Sequence, residues 1–335
     1  MFEEAGEAAA AVRRQFELNA SRVSELGDTL RRMRPRAVVT CARGSSDHAA
    51  TFAKYLIETR AGALTSSAAP SVSSVYAAPA HFENALFIAI SQSGQSPDLL
   101  ACARRAREAG ARLLAVVNAN DSPLAKLADF VLPLHAGSET SVAATKSWIA
   151  SLAAIAQLVA HWTDDQKLLA AVDRLSDQLA QAWTLDWSRA VEALRSTQNM
   201  YVLGRGYGLA AAQESALKLK ETCGMHAEAI STAEVRHGPM ALIREGFPVL
   251  VYAQNDRTHE GVQALLDALI ERGAHVFVAG AAHARATVLP TIESDPVTQP
   301  LLEVQSFYRM ANALALARGL DPDHPPNLRK VTETL

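Results

Sequence analysis

The chain has 335 residues, and at roughly 150 residues per domain this length predicts about two domains. It is 49% hydrophobic and 20% charged, and its net charge of −3 offers no general attraction for nucleic acid or anionic lipid. The longest mostly apolar stretch, residues 152–160, is far shorter than the ~20 residues that a membrane span needs. Acidic residues just after Met1 argue against a secretory signal, and three scattered cysteines give no disulfide framework. We therefore expect a two-domain cytoplasmic protein.

Along the chain, short apolar runs alternate with segments of helical character. A helix is predicted over residues 8–32, with an interruption at Gly27. Strands are predicted at residues 37–39, 85–90, 113–116, 201–203, 248–253 and 276–279. Long helices rich in Ala and Leu are predicted over residues 142–162 and 173–195. Buried strands that alternate with helices are typical of parallel sheets covered by helices on both faces.

The apolar runs of the first half recur in the second half at nearly constant separation. Gly44 and Gly206, which follow the first run of each half, are 162 positions apart, and the other two pairs of runs start 163 apart. A period of this size is too long for a solenoid. The sequence therefore predicts an α/β fold with two tandem doubly wound parallel-sheet domains related by internal duplication. The predicted divisions are an N-terminal helical segment (1–35), a first domain (36–165), a linking helix with the second domain (166–320) and a C-terminal tail (321–335).

Hydroxyl and amide side chains follow two neighbouring strands of the first half. Gly44-Ser45-Ser46 comes after the first run, and residues 91–97 (SQSGQSP) come after the second. Ligands of open parallel sheets bind beyond the carboxyl ends of the strands, and a helix N-terminus there favours an anion. Ser96 before Pro97 suits a helix start. One such loop is explained equally well as a turn and cap, but two together favour a phosphate site made of hydroxyls and backbone amides.

Other common ligand motifs are weak or absent. Gly204, Gly206 and Gly208 give G-x-G-x-G, but Leu209 stands where a dinucleotide fingerprint needs its third small residue, and no P-loop occurs. His226, Glu228 and His237 lie close in sequence without the spacing of a known zinc site, so structural histidines are the better interpretation. No metal and no cofactor are expected.

Three charged residues in the second half share one stripe of a predicted helix. Glu214, Lys218 and Glu221 are spaced by four and three residues, so they lie on one face. A solvated salt-bridge stripe is the ordinary explanation for such a pattern. However, the helix starts directly after the turn at residues 204–208, at the strand end where a ligand is expected, and His237 follows in a Gly-Pro turn. A carboxylate, an ammonium group and an imidazole near a phosphate site suit proton transfer on a sugar.

Several motifs together resemble the SIS (sugar isomerase) family, and specifically its glucosamine-6-phosphate synthase branch. The resemblance runs from about residue 36 to the C-terminus and implies two flavodoxin-like SIS domains. The matching segments are SQSG (91–94), GSETSVAATK (137–146), ESALKLKE (214–221), HAEA (226–229), EVRHGP (234–239) and PPNLRK (325–330).

This resemblance implies a role for each matching residue. Glu221 is similar to the base that moves a proton between C1 and C2, with Lys218 and Glu214 assisting. His237 is similar to the ring-opening residue supplied by the neighbouring subunit, which implies a homodimer, and Lys330 to the lysine that forms an imine with the ketose. Residues similar to phosphate or sugar contacts are Ser46, Ser91, Gln92, Ser93, Ser96 and Val142. Ala144 departs from the family pattern, which has a serine near the sugar.

The synthases carry a glutaminase domain with a catalytic cysteine at the mature N-terminus, whereas Phe2 stands at that position here. The first strand is expected within about 40 residues of Met1, which leaves no space for such a domain. We therefore expect a deaminase: glucosamine 6-phosphate and water give fructose 6-phosphate and ammonia. The alternatives are a ketosamine-6-phosphate deglycase, a galactosamine-6-phosphate deaminase and, from another class, a non-catalytic sugar-phosphate-sensing regulator. The set of Glu221, His237 and Lys330 favours an enzyme over a regulator.

Overall fold

The computed structural model describes residues 1–330, which form two compact units with one sheet each. The first unit comprises Ala10–Glu139, Lys146–Ser176 and residues 329–330. The second comprises Met1–Ala9, Thr140–Thr145 and Asp177–Leu328. Residues 331–335 of the predicted C-terminal tail lie outside the described residues. Among the helices of residues 1–330, none combines the length and the apolar character that crossing a bilayer requires.

Helices flank both sheets, and each strand runs parallel to its neighbours. The helices are α1 (Phe2–Gly6), α2 (Ala8–Met33), α3 (Ser45–Arg60), α4 (Pro70–Ser74), α5 (Pro97–Glu108), α6 (Pro123–Leu127), α7 (Lys146–Thr163), α8 (Gln166–Ala182), α9 (Ser188–Leu194), α10 (Gly208–Cys223), α11 (Val262–Glu271) and α12 (Gln299–Ala317). The strands are β1 (Ala37–Cys41), β2 (Thr65–Ser67), β3 (Ala85–Ser91), β4 (Arg112–Val117), β5 (Phe130–Pro133), β6 (Asn199–Gly204), β7 (His226–Ser231), β8 (Pro248–Tyr252), β9 (His275–Ala279) and β10 (Thr287–Leu289). Short 3-10 turns lie at Glu234–Arg236, Pro239–Leu242 and Arg257–His259.

The two sheets have the same strand order. The first is β2-β1-β3-β4-β5, and the second, taken from β7, is β7-β6-β8-β9-β10. In the first sheet Phe87 of β3 is aligned with Val39 of β1 and Leu113 of β4, and in the second Leu250 of β8 is aligned with Val202 and Phe277. In each half the first strand of the chain is an inner strand, and the later strands are added on both sides of it. The predicted α/β class with two tandem doubly wound parallel sheets is confirmed.

The six apolar runs of the sequence are the six inner strands. Their side chains fill the cores; all seven residues of β3 and all five of β8, for example, are buried. The four strands that the sequence did not predict are the four edge strands, β2, β5, β7 and β10. Strand β7 shows one reason: it is partly exposed and carries the polar residues His226 and Glu228, so it has no continuous apolar run.

The predicted interruption at Gly27 is wrong, because α2 continues through this glycine without a break. The glycine instead allows close packing between α2 and α7. A Cβ atom at position 27 would lie 2.8 Å from the carbonyl carbon of His161, which is too close for two carbon atoms. Tertiary packing therefore accounts for this residue better than a helix break does.

Two predicted helix boundaries are also wrong. The helix predicted from residue 142 begins at Lys146. The carboxylate of Glu139 accepts hydrogen bonds from the Ser147 N–H (3.2 Å) and hydroxyl (2.5 Å), so it satisfies one backbone N–H group of the first turn. The helix predicted over residues 173–195 is two helices, α8 and α9. Between them, the carboxylate of Asp186 accepts a hydrogen bond from the N–H of Ser188, the first residue of α9, at 2.9 Å.

Candidate functional site

The serine-bearing loops of the first unit follow β1 and β3, the neighbouring strands at which the sheet order reverses. Crevices at such reversal points, beyond the carboxyl ends of the strands, are the usual ligand sites of doubly wound sheets. Each loop opens a helix, as predicted, because α3 starts at Ser45 and α5 at Pro97 after Ser96. Backbone N–H groups of two helix N-termini therefore lie beyond the carboxyl ends of β1 and β3, where they favour an anion.

Not all of the predicted phosphate contacts are equally exposed. Ser91 is buried, and its hydroxyl accepts a hydrogen bond from the Gly94 N–H at 2.9 Å, so it also shapes the loop. Gly94 has φ +64°, and a Cβ there would lie 2.3 Å from Ser122 Oγ, so only glycine fits. Ser96 makes no side-chain capping bond to α5. The half-buried predicted contacts of the first unit are Ser46, Gln92, Ser93 and Ser96.

An ion pair that the sequence does not predict joins the two serine-bearing loops. Arg43, directly after β1, donates from Nε (2.8 Å) and Nη2 (2.6 Å) to Asp98 Oδ2 in the first turn of α5. The Asp98 side chain is 1% exposed, whereas that of Arg43 is 50% exposed. The pair therefore fixes the spacing of the two loops. It also holds a guanidinium group beside the loop hydroxyls, at the carboxyl ends of β1 and β3.

Lys330 has a carboxylate partner within the first unit. Its Nζ donates to Glu139 Oε2 at 3.4 Å, and the Glu139 side chain is fully buried while that of Lys330 is 25% exposed. The same carboxylate holds the first turn of α7 through Ser147. Glu139 therefore ties the predicted imine-forming lysine to the start of a core helix, a contact between residues too far apart in sequence to predict.

The predicted charged stripe of the second unit exists on α10, but it is not a solvated one. Lys218 Nζ lies 3.4 Å from Glu214 Oε1 and also contacts Glu221 Oε2. The side chains of Lys218 and Glu214 are fully buried, whereas Glu221 is 19% exposed. Ordinary surface salt bridges are exposed at both ends. The arrangement leaves one carboxylate, that of Glu221, partly accessible at the end of a buried ion-pair chain.

Electrostatics keep Lys218 charged. Burial by itself lowers the pKa of Lys218, but the negative charges of Glu214 and Glu221 more than offset this effect, and the pKa is raised above its ordinary value of 10.5. The charged ammonium group of Lys218 contacts the Glu221 carboxylate.

The helix starts at the predicted turn, but the far end of the stripe lies away from that turn. Although α10 begins at the carboxyl end of β6, Glu221 lies 13 residues after Gly208, about 20 Å further along the helix axis. It is therefore close to the start of β7, at the amino end of the sheet. His237 comes after the six residues of β7, which span roughly 17 Å in the opposite direction. The His237 side chain is exposed, and the carbonyl oxygen of Pro239, two residues later, accepts a hydrogen bond from the Tyr201 hydroxyl at 3.2 Å.

The remaining predicted site residue, Val142, lies in the second unit on a loop rather than on a helix. It is half-buried, and its N–H donates to the carbonyl oxygen of Asp323 at 3.3 Å. His226 and Glu228 are exposed on edge strand β7. Within residues 1–330 there is no cluster of three or more His, Cys, Asp or Glu side chains arranged to hold a metal ion.

Comparison with known proteins places the chain in a family. The SIS domain profile matches residues 33–161 and 193–287, one segment in each half. The chain belongs to the SIS domain family. A relative from Symbiobacterium thermophilum, named glutamine–fructose-6-phosphate aminotransferase (isomerizing), is 36% identical over 323 residues, which cover 90% of this SIS chain and 52% of the relative. The chain thus spans about half the length of the curated relatives that it matches.

Solved structures agree with this SIS assignment over almost the whole chain. A candidate phosphosugar isomerase from Silicibacter pomeroyi DSS-3 has a TM-score of 0.93 and 42% identity, with 96% of this chain and 99% of that chain covered. A glucosamine-6-phosphate deaminase from Thermotoga maritima has a TM-score of 0.81 with 99% of each chain covered, but at 22% identity this likeness concerns the fold alone.

Proposed function

We propose that this SIS protein is an aminosugar-phosphate deaminase, which converts glucosamine 6-phosphate and water to fructose 6-phosphate and ammonia. The observation that carries the proposal is the partly exposed Glu221 carboxylate at the end of the buried Lys218–Glu214 pair. The coarser assignment, an enzyme of the sugar-phosphate isomerase kind, is supported by family membership and by the full-length likeness to the S. pomeroyi protein.

In this reaction the phosphate is held by the serine-bearing loops, away from the reacting carbons. Hydroxyls and backbone N–H groups at two helix N-termini suit a phosphate, and Arg43 adds a positive charge beside these loops. Val142 is proposed as a sugar contact. Binding energy at the phosphate end orients the sugar for the chemical step.

The chemical step is a proton transfer followed by hydrolysis. His237 assists opening of the pyranose ring. Glu221 then removes the C2 proton of the open aldose and returns it to C1, so that the 2-amino aldose becomes a 2-imino ketose. Water adds to C2 of the imine and ammonia leaves, or the Lys330 amine first displaces ammonia to form a transient imine that water hydrolyses. Lys218, which also pairs with Glu214, holds the Glu221 carboxylate in place.

We further propose a cytoplasmic homodimer in which each chain supplies His237 to the site of its partner. The exposed His237 side chain, on the segment that follows edge strand β7, supports this arrangement because a partner chain can reach it. The exposed 3-10 turn at Pro239–Leu242, which follows His237 and includes the 61% exposed Leu242, suits a subunit contact. All three cysteines are unpaired and buried, which suits a reducing compartment.

The proposal is tested with purified protein and a panel of phosphosugars. Ammonia release is measured with glucosamine 6-phosphate and galactosamine 6-phosphate, amine release with fructosyl-amino-acid 6-phosphates, and isomerisation with aldose and ketose 6-phosphates. We expect ammonia and fructose 6-phosphate in equal amounts from glucosamine 6-phosphate. The Glu221→Gln variant is expected to lose at least about 100-fold in kcat, since a general base contributes about that much. Glu228→Gln, which neutralises an exposed carboxylate on β7, is the matched control and should keep wild-type activity.

Each other outcome points to a different function. Ammonia release from galactosamine 6-phosphate alone, or amine release from a ketosamine 6-phosphate alone, would change the assigned substrate but keep the assigned mechanism. Isomerisation without ammonia release would refute the deaminase step. Tight binding of a phosphosugar with no turnover would favour the regulator, and an active Glu221→Gln variant would refute the assigned base.

A further inference from the structure

Tyr308 on α12 is a buried residue that contacts the charged stripe of α10. Its ring is fully buried, and its hydroxyl donates a hydrogen bond to Glu214 Oε1 at 3.0 Å. That oxygen is the same atom that faces Lys218 Nζ at 3.4 Å. Because 94 residues separate Tyr308 from Glu214, no spacing rule relates them in the sequence.

The contacts form a chain from Tyr308 through Glu214 and Lys218 to Glu221. Of these four side chains, only that of Glu221, at the far end of the chain of contacts, is partly exposed, at 19%. A hydroxyl that donates to a buried carboxylate favours the charged form and fixes the direction of its oxygens. Changes at Tyr308 should therefore reach Glu221 through the charge and orientation of Glu214 and the position of Lys218.

A second buried tyrosine gives a natural comparison. Tyr252 on β8 is 1% exposed, and its hydroxyl shares a hydrogen bond of 2.7 Å with Ser215, the residue next to Glu214 on α10. Both tyrosines thus tie a buried hydroxyl to the same helix, but only Tyr308 bonds to a carboxylate. The titratable groups around this part of α10 include Glu214, Lys218 and Glu221 on α10, Tyr252 on β8, and Tyr308 and Glu303 on α12.

We propose that Tyr308 is a positioning residue for the acid–base chemistry, which it supports by holding Glu214 ionised and oriented toward Lys218. This role rests on the proposed function of Glu221 as the base. It differs from simple packing, because it depends on the hydroxyl hydrogen rather than on the ring.

The test compares Tyr308→Phe with Tyr252→Phe in the full-length protein. Both substitutions remove one buried hydroxyl beside α10 and keep the ring. We expect Tyr308→Phe to lower kcat for glucosamine 6-phosphate about 10-fold, with KM changed less than about 2-fold, because a lost bond to a charged group acts on the base and not on the phosphate site. The acidic limb of its pH–rate profile should move to higher pH, since Glu214 then binds a proton more readily. Tyr252→Phe should keep the wild-type profile.

Equal profiles for the two variants would overturn the proposal. If Tyr308→Phe does not fold, ring-fluorinated tyrosine at position 308 preserves the packing and is a stronger donor, so the acidic limb should move to lower pH; an unmoved limb would refute the role. If wild-type protein turns over no phosphosugar, the proposed function fails separately. The positioning role is then tested by the NMR resonance of the Lys218 Nζ atom. This resonance should shift in Tyr308→Phe and not in Tyr252→Phe. A shift in both variants or in neither would refute the role.

Discussion

Replacement of Lys218 by methionine tests whether the buried ion-pair chain is as tightly coupled as its geometry indicates. At 3.4 Å and an effective dielectric constant of about 20, the Lys218–Glu214 attraction is about 5 kcal/mol before desolvation is subtracted. Lys218→Met removes this attraction and leaves the fully buried Glu214 carboxylate without its cation. Loss of one partner of a buried pair typically costs about 3–5 kcal/mol, and we expect the free energy of unfolding to fall by that amount.

The measurement is urea unfolding followed by circular dichroism, with midpoints and m-values compared at pH 7. Lys220→Met is the matched control, because Lys220 is exposed on the same helix, and it should change the unfolding free energy by less than about 0.5 kcal/mol. The double variant Glu214→Gln with Lys218→Met should regain at least half of the loss, since the buried negative charge is gone. A Lys218→Met variant as stable as Lys220→Met, or a double variant no more stable than Lys218→Met, would refute the reasoning.

Two further predictions concern pH dependence and assembly. Burial raises the pKa of Glu303 from 4.5 to about 8, so the folded chain keeps a proton that the unfolded chain releases, and the free energy of unfolding should fall as pH rises from about 4.5 to 8. Glu303→Gln should remove this slope in urea unfolding at pH 5 and pH 8.5; an unchanged slope would mean that the carboxyl does not titrate in this range. When the Glu221→Gln and His237→Asn chains are co-expressed and mixed at random, half of the dimers carry both variants and one intact site, so about a quarter of wild-type ammonia release should return. No recovery would place His237 in the site of its own chain.

The sequence predicts the inner strands well and the edges poorly, for a physical reason. A strand buried on both faces needs a continuous apolar run, and residues 85–90 show one; an edge strand such as β7, with alternating polar residues, does not. Gly27 shows a second limit. Intrinsic propensity makes a glycine a weak point in a helix, but the close approach of His161 that requires it comes from a helix more than a hundred residues later.

The candidate site shows the same division between local and distant information. Spacing within one helix predicts the stripe of Glu214, Lys218 and Glu221, and the contacts of Lys218 with both carboxylates confirm that these residues share a face. Burial of the stripe and its position at the far end of α10 depend on the packed fold. The partners of Asp98 and Glu214, namely Arg43 and Tyr308, are far away in the chain, and a single sequence carries no signal for such pairs.

The short outer strands have a consequence for how copies of this protein can meet. Both edges of the first sheet and one edge of the second consist of strands of only three or four residues, β2, β5 and β10, which offer few unpaired backbone groups to another chain. The longest edge, β7, presents Glu228 and His226 to solvent, and a charged edge discourages the addition of a foreign strand. The molecule is thus protected against ribbon-like aggregation through its sheets, and this protection leaves side-chain surfaces to determine which copies associate.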